Sequence, residues 1–350
     1  MSTAYDYIEQ NKRKSRILVA LFPITFTLFI YLSVLFFYWI FWGVLAYLRP
    51  NNIWAFSSLS TQAFLSAHET CLWLLPMCFG LAVFWAWQAW KQGDQILLEA
   101  IPNVRPLDPW DEPGVYRLLE NLCISSGDYL PQLYILEDDS MNAFAIGMDP
   151  MHAGIVVSRG LIKRLNRVQL EGVFAHELAH IRHYDTRLMI IITTCLAFFT
   201  FAGEFLFYGT EKENLPELET WSDKMLYWRR TRFPLFVYAG GVLMCYGYLL
   251  APVLQFALSR TRESLADAQA VLLTRYPKGL ASALWRISQD SRIEALDEHI
   301  LLGTMCVAYP RRDKKTFFEL ISGIGRTHPP LEERMLALRN MDQGDGQFWS

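Results

Sequence analysis

Charged residues are missing from long stretches of this 350-residue chain. Residues 17–48, 71–90 and 233–259 contain none, and residues 188–208 contain only Glu204. Runs of this length exclude an ordinary soluble protein, because each reaches the roughly 20 apolar residues that span a hydrocarbon core. Paired cysteine spacing is also missing. The six cysteines are scattered, with Cys71, Cys78, Cys195 and Cys245 inside the apolar runs, which excludes a disulfide framework and a cysteine-based zinc site. Free thiols and a reducing compartment are expected for the soluble part. There is no basic excess either: the net charge is -3, so no nucleic-acid partner is indicated. The chain shows no internal repeat.

The apolar runs themselves predict four transmembrane helices. Glu204 in the third is tolerable near a membrane face or toward a polar cavity. The first run follows the basic stretch Lys12-Arg13-Lys14-Ser15-Arg16, is too long for a signal peptide and has no clear cleavage site, so a retained anchor is expected. The basic stretch places the N-terminus in the cytoplasm. The 49–70 loop carries a single basic residue, Arg49, as an outside loop should, and Lys91 marks the return. Arg260 and Arg262 mark the second return. The 211–232 loop runs against this scheme, with Lys212, Lys224, Arg229, Arg230 and Arg232 on the outer side. The expected organisation is a tail (1–15), a first hairpin (16–90), a soluble part (91–187), a second hairpin (188–258), a second soluble part (259–340) and a tail (341–350). The chain is expected to be a multi-pass membrane protein.

The soluble parts read as α+β, mainly α. Residues 113–126 have helical spacing at Val115, Leu118, Leu119 and Leu122. Residues 132–137, 142–146 and 154–158 read as strands. A short helix is expected at 160–165 and a longer one at 168–183. Further helices are expected at 262–274, 278–289 and 314–324, with breaks at Pro277 and at Pro329-Pro330.

The chemistry concentrates in His176-Glu177-Leu178-Ala179-His180. Histidines four apart stand about 40° apart on one helix face and can share one zinc ion. A glutamate directly after the first can act as general base toward a metal-activated water. The plainer reading is a surface helix with incidental histidines. Catalytic zinc usually takes three protein ligands. A third histidine six residues on is excluded, since Thr186 stands there, and His183 occupies the position where that pattern has glycine. One turn from His180, His183 reads as a solvated or outer-sphere histidine. The alternative third ligand is a carboxylate from another helix. Glu263 and Asp267 lie on one helical face at i, i+4, so one could bind metal while the other fixes a histidine tautomer. From spacing alone, an ordinary charged helix face paired to Arg260 and Arg262 is the better account of them.

The motif at 176–180, the stretch Ser259-Arg-Thr-Arg-Glu-Ser-Leu-Ala-Asp267, Met141-Asn-Ala-Phe-Ala-Ile-Gly147 and Thr327-His-Pro-Pro-Leu-Glu-Glu-Arg334 together resemble the HtpX-like family of membrane-integrated zinc endopeptidases. That family is related to the CAAX prenyl protease and to thermolysin-like gluzincins, and the resemblance covers roughly residues 90–340. It implies a gluzincin-like fold with a small sheet, one Zn²⁺ on His176, His180 and Glu263, Glu177 as base, and Asp267 as partner of a ligating histidine. It implies that Asn142, Ala143 and Phe144 form an edge strand that pairs with substrate. His328 would be an oxyanion donor, or simply a turn residue before two prolines. Arg334 would orient the same loop, or serve a structural ion pair.

The implied activity is cleavage of membrane or membrane-proximal proteins in proteolytic quality control and stress response. The active site would lie on the cytoplasmic side, in a bacterial inner membrane. Partners would be polypeptide substrates, the bilayer, and either further copies of the chain or other quality-control proteins. Two alternatives stand beside this: processing of a dedicated lipidated or membrane peptide, and a non-catalytic scaffold with a structural zinc.

Overall fold

The computed structural model describes residues 4–47, 53–208, 240–243, 245–247, 260–290, 305–307, 329 and 331–341. It divides into two compact units. The first comprises residues 1–16, 89–197 and 248–350, and the second residues 17–88 and 198–247.

The second unit is built from the apolar runs. Helix α1 (Ala4–Tyr47) and helix α2 (Ile53–Ala100) each contain a proline, Pro23 and Pro76, and each runs on into the first unit. Their stretches Ile8–Ile40 and Leu65–Ala100 are long and apolar enough to cross a membrane. Only 22% and 17% of their apolar windows are buried, so these are not core helices of a soluble fold. Leu28, Phe36, Trp39, Trp73 and Met77 stand exposed along them, as lipid-facing side chains do. Phe22 and Phe26 of α1 form an aromatic cluster with Phe199 and Tyr246 of the third and fourth apolar runs, and the Tyr246 hydroxyl donates to Thr25 Oγ1 at 2.8 Å. The third apolar run forms one helix, α6 (Asp185–Tyr208). Of the fourth run, residues 240–243 and 245–247 are described, and both pieces are helical. The basic 211–232 loop, the expected helix at 314–324 and the final tail lie outside the described residues.

The first unit carries a four-stranded sheet, ordered β1-β2-β4-β3. The strands are β1 (Val104–Pro106), β2 (Gln132–Leu136), β3 (Ala143–Ile146) and β4 (Gly154–Ser158). The β2–β4 pair is parallel and the others antiparallel. Strand β3 therefore forms one edge of the sheet. Helix α3 (Pro113–Ser126) starts with proline at N1 and ends on Gly127, whose φ of 71° suits a residue without Cβ. The short helix α4 (Arg159–Arg164) leads into helix α5 (Arg167–Arg182). Asn166 and Gln169 cap α5 reciprocally, each side chain accepting from the other's backbone N–H.

Eleven of the sixteen residues of α5 are buried, so it is the central element of this unit. Helices α7 (Arg260–Thr274) and α8 (Pro277–Gln289) pack against it, and α9 (Leu331–Met341) packs against them. The approach of α5 to α8 is close: a Cβ on Gly172 would stand 2.8 Å from the Leu280 amide nitrogen. Leu119, Leu133, Ile155, Phe174 and Leu284 fill the core between sheet and helices.

Candidate metal centre

Helix α5 presents His176, Glu177 and His180 together, and α7 brings Glu263 to them. One ligand atom from each of His176, His180 and Glu263 can be chosen so that all lie within 4.8 Å of one another. The Nε2 atoms of the two histidines are 3.2 Å apart. Glu263 Oε2 lies 3.8 Å from His176 Nε2, and Oε1 lies 3.6 Å from His180 Nε2. Two imidazole nitrogens and a carboxylate oxygen converging in a buried space are the donor set of a His₂Glu zinc site. The residues present therefore fit zinc.

Each histidine is held from behind by its Nδ1. Asp267 Oδ1 lies 3.0 Å from His176 Nδ1, and Asp185 Oδ2 lies 2.9 Å from His180 Nδ1. Asp185 hydrogen-bonds His180 Nδ1, which makes Nε2 the nitrogen turned toward the centre, while Asp267 stands at ion-pair distance behind His176 without an aligned hydrogen bond to it. Arg334 grips Asp267 through two hydrogen bonds, from Nε at 2.9 Å and from Nη2 at 2.7 Å. Its Nη1 lies 3.5 Å from Glu263 Oε2. Burial raises the Asp267 pKa, but Arg334 and His176 outweigh it and hold the carboxyl down at about 2. Burial likewise disfavours charge on His180, but Glu263 and Asp185 outweigh it and push its pKa up to about 9. His176 is driven down, chiefly by burial and by Arg334 and His180 against the pull of Asp267.

Glu177 is buried beside these groups and accepts a hydrogen bond from the Ala145 amide. Burial is the main reason its pKa is raised to about 7.

Strand β3 runs along this site. Phe144 is buried in an apolar cluster with Leu136, Ile146 and Ile190. Asn142 is buried just before the strand, and its Oδ1 accepts from the Ala143 amide at 3.1 Å. The Ala143 carbonyl accepts from the Val307 N–H at 2.9 Å, and the Val307 carbonyl accepts from Arg334 Nη1 at 2.9 Å. Residues Met305, Cys306 and Val307 thus line the same cavity as His176, Glu177 and Glu263.

His183 stands at the C-cap of α5, outside the donor cluster, with Nε2 at 2.8 Å from Gln269 Nε2. His328 lies outside the described residues. Asp185 was not among the residues singled out from the sequence. Five positions after His180, it would stand on a different face of a continuous helix. Tyr184, with φ of 60°, breaks the helix and turns Asp185 back toward His180. The one sequence signal for it is an acid placed directly between the motif helix and an apolar run.

A family model described as Peptidase family M48 matches residues 109–342. A protein from Dictyoglomus turgidum named Protease HtpX homolog is 31% identical over 351 residues, covering 99% of this chain and 96% of that one. A protein of the same name from Bacteroides fragilis strain YCH46 is 34% identical over 271 residues, covering 76% of this chain and 80% of its own length. Among solved structures, the crystal structure of S. mikatae Ste24p aligns with a TM-score of 0.38 at 17% identity, over 93% of this chain and 66% of that one.

Proposed function

This chain belongs to peptidase family M48 and is an HtpX-like membrane metalloprotease; from that premise we propose that it is a zinc endopeptidase acting on proteins in or near the bilayer. The observation that carries the zinc reading is the convergence of His176, His180 and Glu263 within 4.8 Å, beside a buried Glu177. Zinc, when bound, supplies a Lewis acid that makes water a nucleophile near neutral pH. Glu177 takes the proton of the attacking water and delivers it to the leaving amine nitrogen. Asp267 and Asp185 keep both imidazoles turned with Nε2 inward. Arg334 neutralises Asp267 and holds that arrangement. His328 is the candidate for an oxyanion donor.

The substrate backbone adds to β3 as a further strand, with Asn142, Ala143 and Phe144 as the pairing segment. Ser158 N–H donates to the Asn142 carbonyl, so by alternation the Phe144 backbone also faces β4, and of the three residues Ala143 turns its backbone to the free edge. Because the Ala143 carbonyl already accepts from Val307, substrate and Val307 compete for it. Four spans, an N-terminus in the cytoplasm and a cytoplasmic active site are the topology we propose, in a bacterial inner membrane. Two features of the chain support a site near the bilayer. Only His183 and Tyr184 separate α5 from α6, and α7 starts directly after the fourth apolar run. Membrane proteins are therefore the substrate class we propose, and their quality control is the role that the family resemblance implies. Metal analysis of the purified protein, with cleavage of casein and of an unfolded membrane protein, tests this. One equivalent of zinc and chelator-sensitive cleavage support it, and cleavage indifferent to chelator would sink it.

A further inference from the structure

The first sixteen residues belong to the same compact unit as the metal centre, although α1 runs on from them into an apolar span. Their polar residues are not all solvated. Asn11 is 3% exposed and Ser15 fully buried. Asn11 Nδ2 donates to Asp185 Oδ1 at 2.7 Å and to the His183 carbonyl at 3.0 Å. Lys12 Nζ sits 4.1 Å from the centre of the Tyr184 ring. The N-terminal helix therefore grips all three residues that turn the chain from α5 into α6.

The division of labour on Asp185 is specific. Its Oδ2 faces His180 Nδ1 at 2.9 Å, while its Oδ1 accepts from Asn11 and has Arg262 Nη1 at 3.6 Å. A carboxylate held at one oxygen can still swing about its Cα–Cβ and Cβ–Cγ bonds. Arg262 attracts Oδ1 from beyond hydrogen-bond distance, so the directional hold on that oxygen is Asn11's; held at both oxygens, the carboxylate has one orientation, and so has the imidazole it supports. Packing alone would be served by an apolar side chain at residue 11. A buried amide is tolerated there because both acceptors satisfy it.

We propose that Asn11 is a positioning residue for the metal centre, fixing Asp185 and through it the Nε2 of His180. The inference rests on the zinc reading given above. It makes the segment ahead of the first apolar span part of the site's support.

The test is zinc affinity, by competition with a chromophoric chelator, of the full chain in detergent. Wild type, Asn11→Ala, Asn11→Asp, Asp185→Asn and the Asn11→Ala/Asp185→Asn double variant are compared. Loss of an outer partner of a ligating histidine typically weakens metal binding by about 10–100-fold. Asp185→Asn should fall in that range. Asn11→Ala, one step further out, should lose about tenfold, the low end of it. Asn11→Asp keeps the size but replaces the donor with an acceptor facing Asp185, so it should lose at least as much, and it gives the answer if the alanine variant does not fold. In the double variant Asn11→Ala should add little, because its effect runs through Asp185. Wild-type zinc affinity in both Asn11 variants overturns the proposal, even if their metal-free melting temperature falls. A full additional loss on the Asp185→Asn background also overturns it. A wild-type protein that binds no zinc would instead overturn the metal reading.

Discussion

Arg334 and Asp267 face each other through two buried hydrogen bonds, at 2.9 and 2.7 Å, across 67 residues of sequence. Asp267 in turn reaches His176 Nδ1. The pair thus ties helix α9 to the face of α5 that carries the proposed metal ligands. Removing one partner of a buried pair leaves an uncompensated charge and costs about 3–5 kcal/mol. Arg334→Ala should therefore lower the melting temperature sharply and weaken zinc binding. Arg334→Lys should recover little, since an ammonium cannot reproduce the two-pronged contact. Thermal melts of both variants in detergent check this, and a lysine variant as stable as wild type would contradict it.

Val307→Pro removes the N–H donated to the Ala143 carbonyl. If a substrate strand uses the same carbonyl, the variant frees it. One hydrogen bond contributes about 1 kcal/mol net, which corresponds to about fivefold. KM for an extended peptide should fall by about that factor. An unchanged or higher KM would show that substrate does not pair at Ala143.

Metal removal should destabilise the catalytic unit. At free zinc about 1,000 times Kd, binding contributes about 4 kcal/mol. Chelation should lower the melting temperature and abolish cleavage. Zinc should restore both, while Mg²⁺ and Ca²⁺, which prefer all-oxygen sites, should not. Equal recovery with Mg²⁺ would contradict the donor-set argument.

Gly172→Ala sets two effects against each other. Alanine in a helix interior gains about 1 kcal/mol over glycine. Here its Cβ would meet the Leu280 backbone at 2.8 and 2.9 Å, so α8 must move. Overpacking of this kind costs about 1–3 kcal/mol, and the net effect should be destabilising. A melting temperature above wild type would show that α8 yields freely.

Much of this arrangement is legible in the sequence because local spacing encodes it. The helix at 113–126 and the strand at 154–158 match the structure residue for residue, and helices α5, α7 and α8 lie within two residues of expectation. Each has a clear period or cap. Strand β1 was not expected: three residues ending in proline carry no alternation, and it forms only by pairing with β2. Helix α9 was also missed, since Pro329-Pro330 reads as a break rather than as the start of a helix.

At the metal centre, the i, i+4 spacing put Glu263 and Asp267 on one face but could not divide their roles. Their distances to His176 differ in kind, with Asp267 at 3.0 Å from Nδ1 and Glu263 at 3.8 Å from Nε2, which supports the proposal that Glu263 is the ligand. Asp185 and Asn11 escaped because their contacts depend on a left-handed tyrosine and on a separation of 174 residues. No periodicity reports either.

The most direct test of the mechanism is Glu177→Gln, measured for bound zinc and for peptide cleavage in the same preparation. The substitution keeps the shape of the side chain and all three proposed ligands. The account predicts one equivalent of zinc and a cleavage rate at background. Zinc bound with cleavage at the wild-type rate would contradict it.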